Sequence, residues 1–256
     1  MTDLLMKKYL SIAAAGLLAL GCTGGLKTAT YTDDQAMPLA EGRADSLLLS
    51  ISLEYPVKGA DEAVLGNITA NILSTAFDLE EEPGTVEETA LRYEENLKDE
   101  YFNENGDLFP DRPAEEGGIL SWEDRINGYF SGRWRHYTTY MVEYYNFRGG
   151  AHGIGTLTPI VFDTRTGDVV AEEDFFAEGY AAPVGALIRA GLADALDHNE
   201  EDLDALFEPD LVGPNGTYEV GKDGVTWYYQ PYEIGPYYLG VISVSLSWKD
   251  LKPYLR

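Results

Sequence analysis

Apolar and polar positions alternate most clearly in "LLLSISLEY", residues 47–55, where Leu47, Leu49, Ile51, Leu53 and Tyr55 fall on one side. A period of two predicts a half-buried strand. The period then lengthens. Val64, Leu65, Ile68, Ile72 and Ala76 recur at helical spacing, and after the turn "EEPGT" so do Val86, Ala90, Tyr93, Leu97 and Tyr101. Thr85 and Glu88 stand three apart at the head of this second helix, the spacing of a capping box. Residues 103–118, "NENGDLFPDRPAEEGG", read as a loop. From Trp122 to Phe147 the chain is dense in aromatic and β-branched residues and predicts two long antiparallel strands turning near Ser131 and Gly132. The second of them has apolar residues on both faces, as a strand covered on both sides requires. "TPIVFDTRTGDVV" predicts strand, turn and strand, with Thr166, Gly167 and Asp168 in the turn. A helix striped by Val184, Leu187, Ile188, Gly191 and Ala195 follows, then an acidic segment, 199–210. A hairpin at Lys222-Asp223-Gly224, the strand "VISVSLSW" and a short helical turn end the chain. Helices mixed with mostly antiparallel strands, without a βαβ repeat, define the α+β class.

The N-terminus follows a different logic. Lys7 and Lys8 precede an apolar run from Tyr9 to Leu20, and small residues lead into Cys22. This is the pattern of a signal peptide over residues 1–21, too short to span a bilayer and set apart from the fold. "ALGC" resembles a bacterial lipobox, which makes Cys22 the lipidation site and the first residue of the mature protein. Residues 22–43 are small and polar without a period and read as a flexible tether. No acidic run directly follows Cys22, unlike some surface-export signals, so the expected place is the outer membrane, facing the periplasm. The partners expected at this level are the membrane, reached through the lipid, and no nucleic acid.

Charge sharpens the second of these. The chain carries 18 Lys and Arg against 44 Asp and Glu, a formal net charge of −26. Such a surface repels phosphate backbones and attracts cationic proteins. With 45% hydrophobic and 12% aromatic residues the chain is nevertheless built to fold.

Most common enzyme chemistries lack their residues. Cys22 is the only cysteine, so neither an internal disulfide nor a thiol nucleophile in the body is available. There is no G-x-S-x-G, S-x-x-K, P-loop or dinucleotide fingerprint, and His136, His152 and His198 make no metal-binding pair. Asn103, Asn105 and Gly106 sit at calcium-loop spacing, but Tyr101 and Arg112 then occupy the first and twelfth ligand positions, and the motif fails. No cofactor and no metal are expected. The carboxylates remain: Glu233 in "QPYEIGPYY", with Asp163 or Asp174 as a partner, is the pair an envelope glycan hydrolase or transferase would use. In "FRGGAHG", residues 147–153, Gly149, Gly150 and Gly153 permit positive φ and close backbone approach. His152 is expected to hydrogen-bond backbone across that structural turn. Tyr232, Tyr237 and Tyr238, beside the prolines at 231 and 236, are with Glu233 the candidate ligand contacts, because aromatic residues dominate binding hot spots.

Four stretches taken together carry a resemblance: "YNFRGGAHG" before "VFDTRTGDVVAEEDFF", then "KDGVTWYYQPYEIGPYYLG" before "VSLSWKDLKPYL". Their order resembles a bacterial extracytoplasmic domain family first catalogued without a function. That family forms the outer part of the lysozyme-sensing anti-sigma factor and the N-terminal part of a peptidoglycan deacetylase, and it stands alone in many lipoproteins. The resemblance spans about residues 44–256. It implies a two-part module, an N-terminal half over 44–150 and a C-terminal half over 151–256, the latter similar in topology to a subdomain of Hsp70-type ATPases. This chain has no sigma-binding segment and no deacetylase domain, so neither activity follows. The resulting expectation is a lipid-anchored, non-enzymatic envelope module that binds a lysozyme-like protein or a peptidoglycan-type glycan.

Overall fold

The structure, a computed structural model, describes residues 21–23, 25–108 and 118–256. The signal segment up to residue 20 and most of the expected loop at 103–118 lie outside the described residues. Six strands pair in chain order into one sheet: β1 (Gly21–Thr23), β2 (Leu26–Pro38), β3 (Ser46–Lys58), β4 (Trp122–Trp134), β5 (Tyr137–Phe147) and β6 (Ile154–Asp163). All neighbours are antiparallel except β3 and β4. That parallel pair needs a crossover, and two helices supply it: α1 (Glu62–Ala76) and α2 (Val86–Asn105). A second unit holds β7 (Tyr218–Val220), β8 (Gly224–Tyr229) and β9 (Ile242–Ser247) in a three-stranded antiparallel sheet. With it go α3 (Glu172–Phe175), α4 (Ala181–Ala195), α5 (Glu200–Asp204) and α6 (Trp248–Leu251). The class is α+β.

The alternation in β3 decides what the large sheet buries. Leu47, Leu49, Ile51 and Leu53 are all buried beneath α1 and α2, against Ile68, Ile72, Leu97 and Tyr101. Trp122 and Ile126 of β4, Tyr140 and Val142 of β5 and Ile160 and Phe162 of β6 complete that core. The α2 capping box forms: the Glu88 amide donates to Thr85 Oγ1 at 3.2 Å, and the Thr85 amide donates to Glu88 Oε2 at 3.0 Å. The second core is strongly aromatic and gathers Phe175, Phe176, Trp227 and Tyr229 around Val184, Ile188 and Leu192 of α4.

The two cores meet across the middle of β5. Tyr140 and Val142 face the helices, whereas Thr139 and Met141 are buried on the other face. There the Val220 amide donates to Thr139 Oγ1 at 2.9 Å, and Thr139 Oγ1 donates back to the Val220 carbonyl at 3.1 Å. Trp134 stacks on Trp248 with ring centres 4.2 Å apart, adding an aromatic seam between the units.

Four expectations change. The tether expected over 22–43 is mostly β2, paired with β3 from Lys27↔Lys58 to Pro38↔Ser46. Its Thr and Tyr residues are strand formers, and in the whole strand only Leu26, Thr28 and Ala29 are buried, so little periodic signal marked it. The turn expected at Ser131-Gly132 is a bulge between Phe130 and Gly132, and the reversal comes at Arg135, at φ 55°. The second arm of the strand–turn–strand at 158–170 reduces to one bridge, Phe162↔Val169, because the chain enters α3 at once. Finally, the boundary expected at 150 falls inside the first sheet: β6 returns antiparallel to β5, so the large sheet runs on to Asp163.

Candidate functional site

The "FRGGAHG" turn joins β5 to β6, and each residue type in it has a local cause. Arg148 forms a two-pronged ion pair with Asp124, whose carboxylate is wholly buried and also accepts from the Tyr93 hydroxyl at 2.5 Å. A charge buried this deeply persists only when paired and hydrogen-bonded. Gly149 and Gly150 take φ of 83° and 97°, a region open to glycine. Gly153 serves differently: its backbone is ordinary, but a Cβ there would lie 2.5 Å from the Asn146 carbonyl oxygen and from the Tyr145 ring. His152 is exposed and lies flat against Tyr237, with centres 3.8 Å apart and planes at 17°. Its Nδ1 is 3.1 Å from the carbonyl oxygen of the adjacent Gly153, and the same carbonyl accepts from the Tyr237 hydroxyl at 2.6 Å.

Tyr237 belongs to "QPYEIGPYY", so the two most distinctive stretches of the sequence are packed together. Gln230 makes a second tie: its amide donates to the Leu157 carbonyl at 2.7 Å and accepts from the Leu157 amide at 3.1 Å. This side chain does at the β6 edge what another strand would do, and it blunts that edge. Tyr232 sits at φ 71° and is 55% exposed, 5.7 Å from Tyr237 ring to ring. Glu233 is exposed and accepts from the Gln230 amide at 2.7 Å and from Asn215 Nδ2 at 2.8 Å. It is therefore a turn-stabilising acceptor rather than an acid in an apolar pocket.

Tyr238, 64% exposed, lies by the acidic segment; partial desolvation, with Asp202 as hydrogen-bond partner and Glu201 nearby, raises its pKa. Phe207 and Leu211 extend the same side, and the Phe207 amide donates to the Ile234 carbonyl at 2.8 Å. Leu211 is 75% exposed. Phe207, Leu211, Asn215 and Glu233 border a shallow hollow of about 310 Å³. Reading the sequence missed Phe207 and Leu211, because lone apolar residues in an acidic stretch carry no period. It also missed Gln230, Asp124 and Arg148, whose roles depend on partners far along the chain.

The carboxylates proposed as a catalytic pair have separate partners. Asp163 is held below the usual carboxyl range by its hydrogen bonds from Arg165, whose guanidinium is 2.5 Å away, with His136 at 3.8 Å. Asp174 faces Arg256 at 3.6 Å. The one buried carboxylate of the second unit is Glu172. Burial raises its pKa, and the Trp227 indole and the Gly216 amide, each donating at 2.7 Å, pull it partly back. It is enclosed by the core rather than open to a substrate. Among the described residues no group of three or more His, Cys, Asp or Glu could hold a metal ion, and no helix is long and apolar enough to cross a membrane. Cys22 lies in β1, opposite Lys27.

An α+β fold with an aromatic, acid-rimmed surface on its second unit is the class these features define. Residues 173–249 match a family model described as "Protein of unknown function (DUF3298)". Among solved structures the chain is similar to a member of that family from Bacteroides fragilis NCTC 9343. The TM-score is 0.80 at 20% identity, covering 91% of this chain and 95% of that one. It is also similar to a DUF3298 family protein from Pseudomonas aeruginosa PAO1, with a TM-score of 0.63 at 19% identity and coverage of 90% and 94%. At these identities the likeness is one of fold. No curated protein matches the chain.

Proposed function

We propose that this chain is a lipid-anchored, non-enzymatic module of the bacterial envelope, facing the periplasm from the outer membrane, and that it binds a cationic protein of the lysozyme type. The observation that carries the reading is the surface of residues 199–215 and 230–239, two segments joined by the Phe207 amide on the Ile234 carbonyl and sharing the hollow at Phe207, Leu211 and Glu233. Phe207, Leu211, Tyr232 and Tyr238 are exposed there, among Glu201, Asp202, Glu208, Asp210 and Glu233. Exposed aromatic and aliphatic anchors ringed by one sign of charge are what a protein of opposite sign can use: the charge guides approach, and the anchors hold. The resemblance to the outer part of a lysozyme-sensing anti-sigma factor points to the same class of partner. Cys22 fits the lipid anchor, and β2 begins only four residues later, so the lipid would hold the sheet close to the bilayer.

The test is binding of hen lysozyme to the purified chain on a sensor surface. We expect saturable binding that Tyr238→Ala and Phe207→Ala each weaken about tenfold, the effect of losing a hot-spot residue. Tyr237 is a poorer probe, because it is half-buried and holds the 147–153 turn. Binding that ignores both substitutions, or no binding, sinks the lysozyme reading.

A further inference from the structure

The helices cover one face of the large sheet. On the other face the side chains of β4 and β5 alternate outward, and part of it stays open where the second unit ends. There Arg125, Asn127, Glu143, Tyr145, Leu157 and Val241 line a hollow of about 500 Å³, within the range of about 300–1,000 Å³ found for small-molecule sites. Strand register builds it: Arg125 is paired with Tyr145 and Asn127 with Glu143 on β4 and β5, and Glu143 is paired with Leu157 on β6. Two strands thus place a guanidinium, an amide, a carboxylate and a phenol within one side-chain layer, and the third adds the apolar Leu157 beside them.

These groups are fixed. Glu143 accepts from the Tyr129 hydroxyl at 2.7 Å and from Asn127 Nδ2 at 3.0 Å. That bond turns the amide nitrogen of Asn127 inward and leaves its oxygen as the acceptor. The Arg125 guanidinium lies 4.4 Å from the centre of the Tyr145 ring and 3.0 Å from Glu123. The Tyr145 ring is in turn seated on Gly153, where a Cβ would collide with it. The hollow therefore offers planar donors and acceptors side by side, held by neighbours, with Leu157 and Val241 as an apolar wall.

We propose that this hollow is a saccharide-binding site for a neutral oligosaccharide. Planar amide, carboxylate and guanidinium groups each bridge the adjacent hydroxyls of a pyranose, and the apolar wall suits its C–H face. Charge selects the ligand class. Arg125 is already neutralised by Glu123, Glu143 adds a further negative charge, and the chain as a whole stands at −26. An anionic ligand would be repelled, whereas a neutral polyol meets no such barrier. The site is separate from the acidic aromatic face and stands whether or not that face takes a lysozyme.

The test uses the purified full chain, isotope-labelled, titrated with chitotetraose, cellotetraose and maltotetraose up to about 10 mM, enough to reach millimolar affinities. At least one of them should bind saturably, with amide shifts centred on β4, β5 and residues 154–157. Asn127→Ala should weaken that binding about tenfold, as loss of a hydrogen-bonding partner at a half-buried site does, and Arg125→Ala should weaken it as well; Tyr238→Ala should leave it unchanged. Arg125 is exposed, so its variant keeps the test open if Asn127→Ala fails to fold. The proposal is overturned if none of the three binds, if the shifts map elsewhere, or if binding survives in every folded variant.

Discussion

Gly153 and His152 stand side by side in one turn and do unlike work. Gly153 is where the backbone entering β6 passes under the Tyr145 ring, and the space for a Cβ is already filled by Asn146 oxygen and ring carbon at 2.5 Å. One contact is with backbone, which cannot swing aside. Gly153→Ala should therefore cost about 2 kcal/mol, the usual size of an overpacking defect, read as a lowered urea midpoint with an unchanged slope. A change under about 0.5 kcal/mol would mean that the ring moves freely and the turn is not close-packed. His152 contributes a stacked face to Tyr237 and is otherwise exposed. An aromatic pair of this kind is worth about 1 kcal/mol, so His152→Gln should lower stability by roughly that and leave lysozyme binding unchanged. Loss of binding at an unchanged melting temperature would instead make His152 a contact residue.

Between elements, the tie at the start of β3 governs behaviour in acid. Asp45 is fully buried, and burial alone would raise its pKa. The Leu120 amide at 3.0 Å, the Arg43 guanidinium at 2.9 Å and the Gly118 amide at 2.7 Å outweigh that and hold it below the ordinary 3.8. It thereby fastens the chain entering β4 to the chain entering β3, which are parallel neighbours. A depressed folded pKa contributes stability that is present above about 3.8 and lost as pH falls through the folded value. Asp45→Asn should thus be about 1–3 kcal/mol less stable at pH 7, the range for spoiling a buried charged hydrogen bond, and the gap should narrow toward pH 3; equal gaps at both would remove Asp45 from the acid limb. This tie was invisible in the sequence, since Asp45 looks like any acid in a polar stretch and its partners at 118 and 120 are far along the chain. What was legible was local. The alternation of β3, the stripes of α1, α2 and α4, the Thr85 cap and the hairpin at Lys222-Asp223 all rest on neighbours within a few residues. β2 was missed because a strand of Thr, Asp and Gln, covered on its outer side only by the three residues of β1, buries too little to show in the sequence. The turn at 131 was misplaced because Gly132 marks a bulge: a Cβ there would meet the Val220 oxygen at 2.4 Å, a long-range reason. The candidate site was half legible. Its tyrosines and its glycine turn were visible as types, but that the two stretches meet was not.

At the scale of the whole molecule, the proposed anchor and the charge would act together. Cys22→Ser should abolish acylation and leave the chain uncleaved or released from the outer-membrane fraction; palmitate labelling that survives the change would end the lipobox reading. A body of this charge held by its N-terminus at a membrane meets cationic proteins by long-range attraction, which acts over a Debye length of about 8 Å at physiological salt. Attraction over that range raises the association rate much more than it lengthens residence. In the proposed complex, residence would come from Phe207, Leu211, Tyr232 and Tyr238, whose burial against a partner salt does not weaken. The two contributions therefore separate in a salt titration. At about 0.5 M, where the Debye length falls to about 4 Å, lysozyme should associate at least tenfold more slowly, while its dissociation rate changes by less than about threefold. Tyr238→Ala should show the opposite pattern, a faster dissociation at nearly unchanged association, because most interface substitutions act on the off-rate. If binding instead vanishes in salt and Tyr238→Ala leaves both rates alone, the acidic surface attracts without an anchoring patch, and the face between residues 199 and 239 is not where a partner docks.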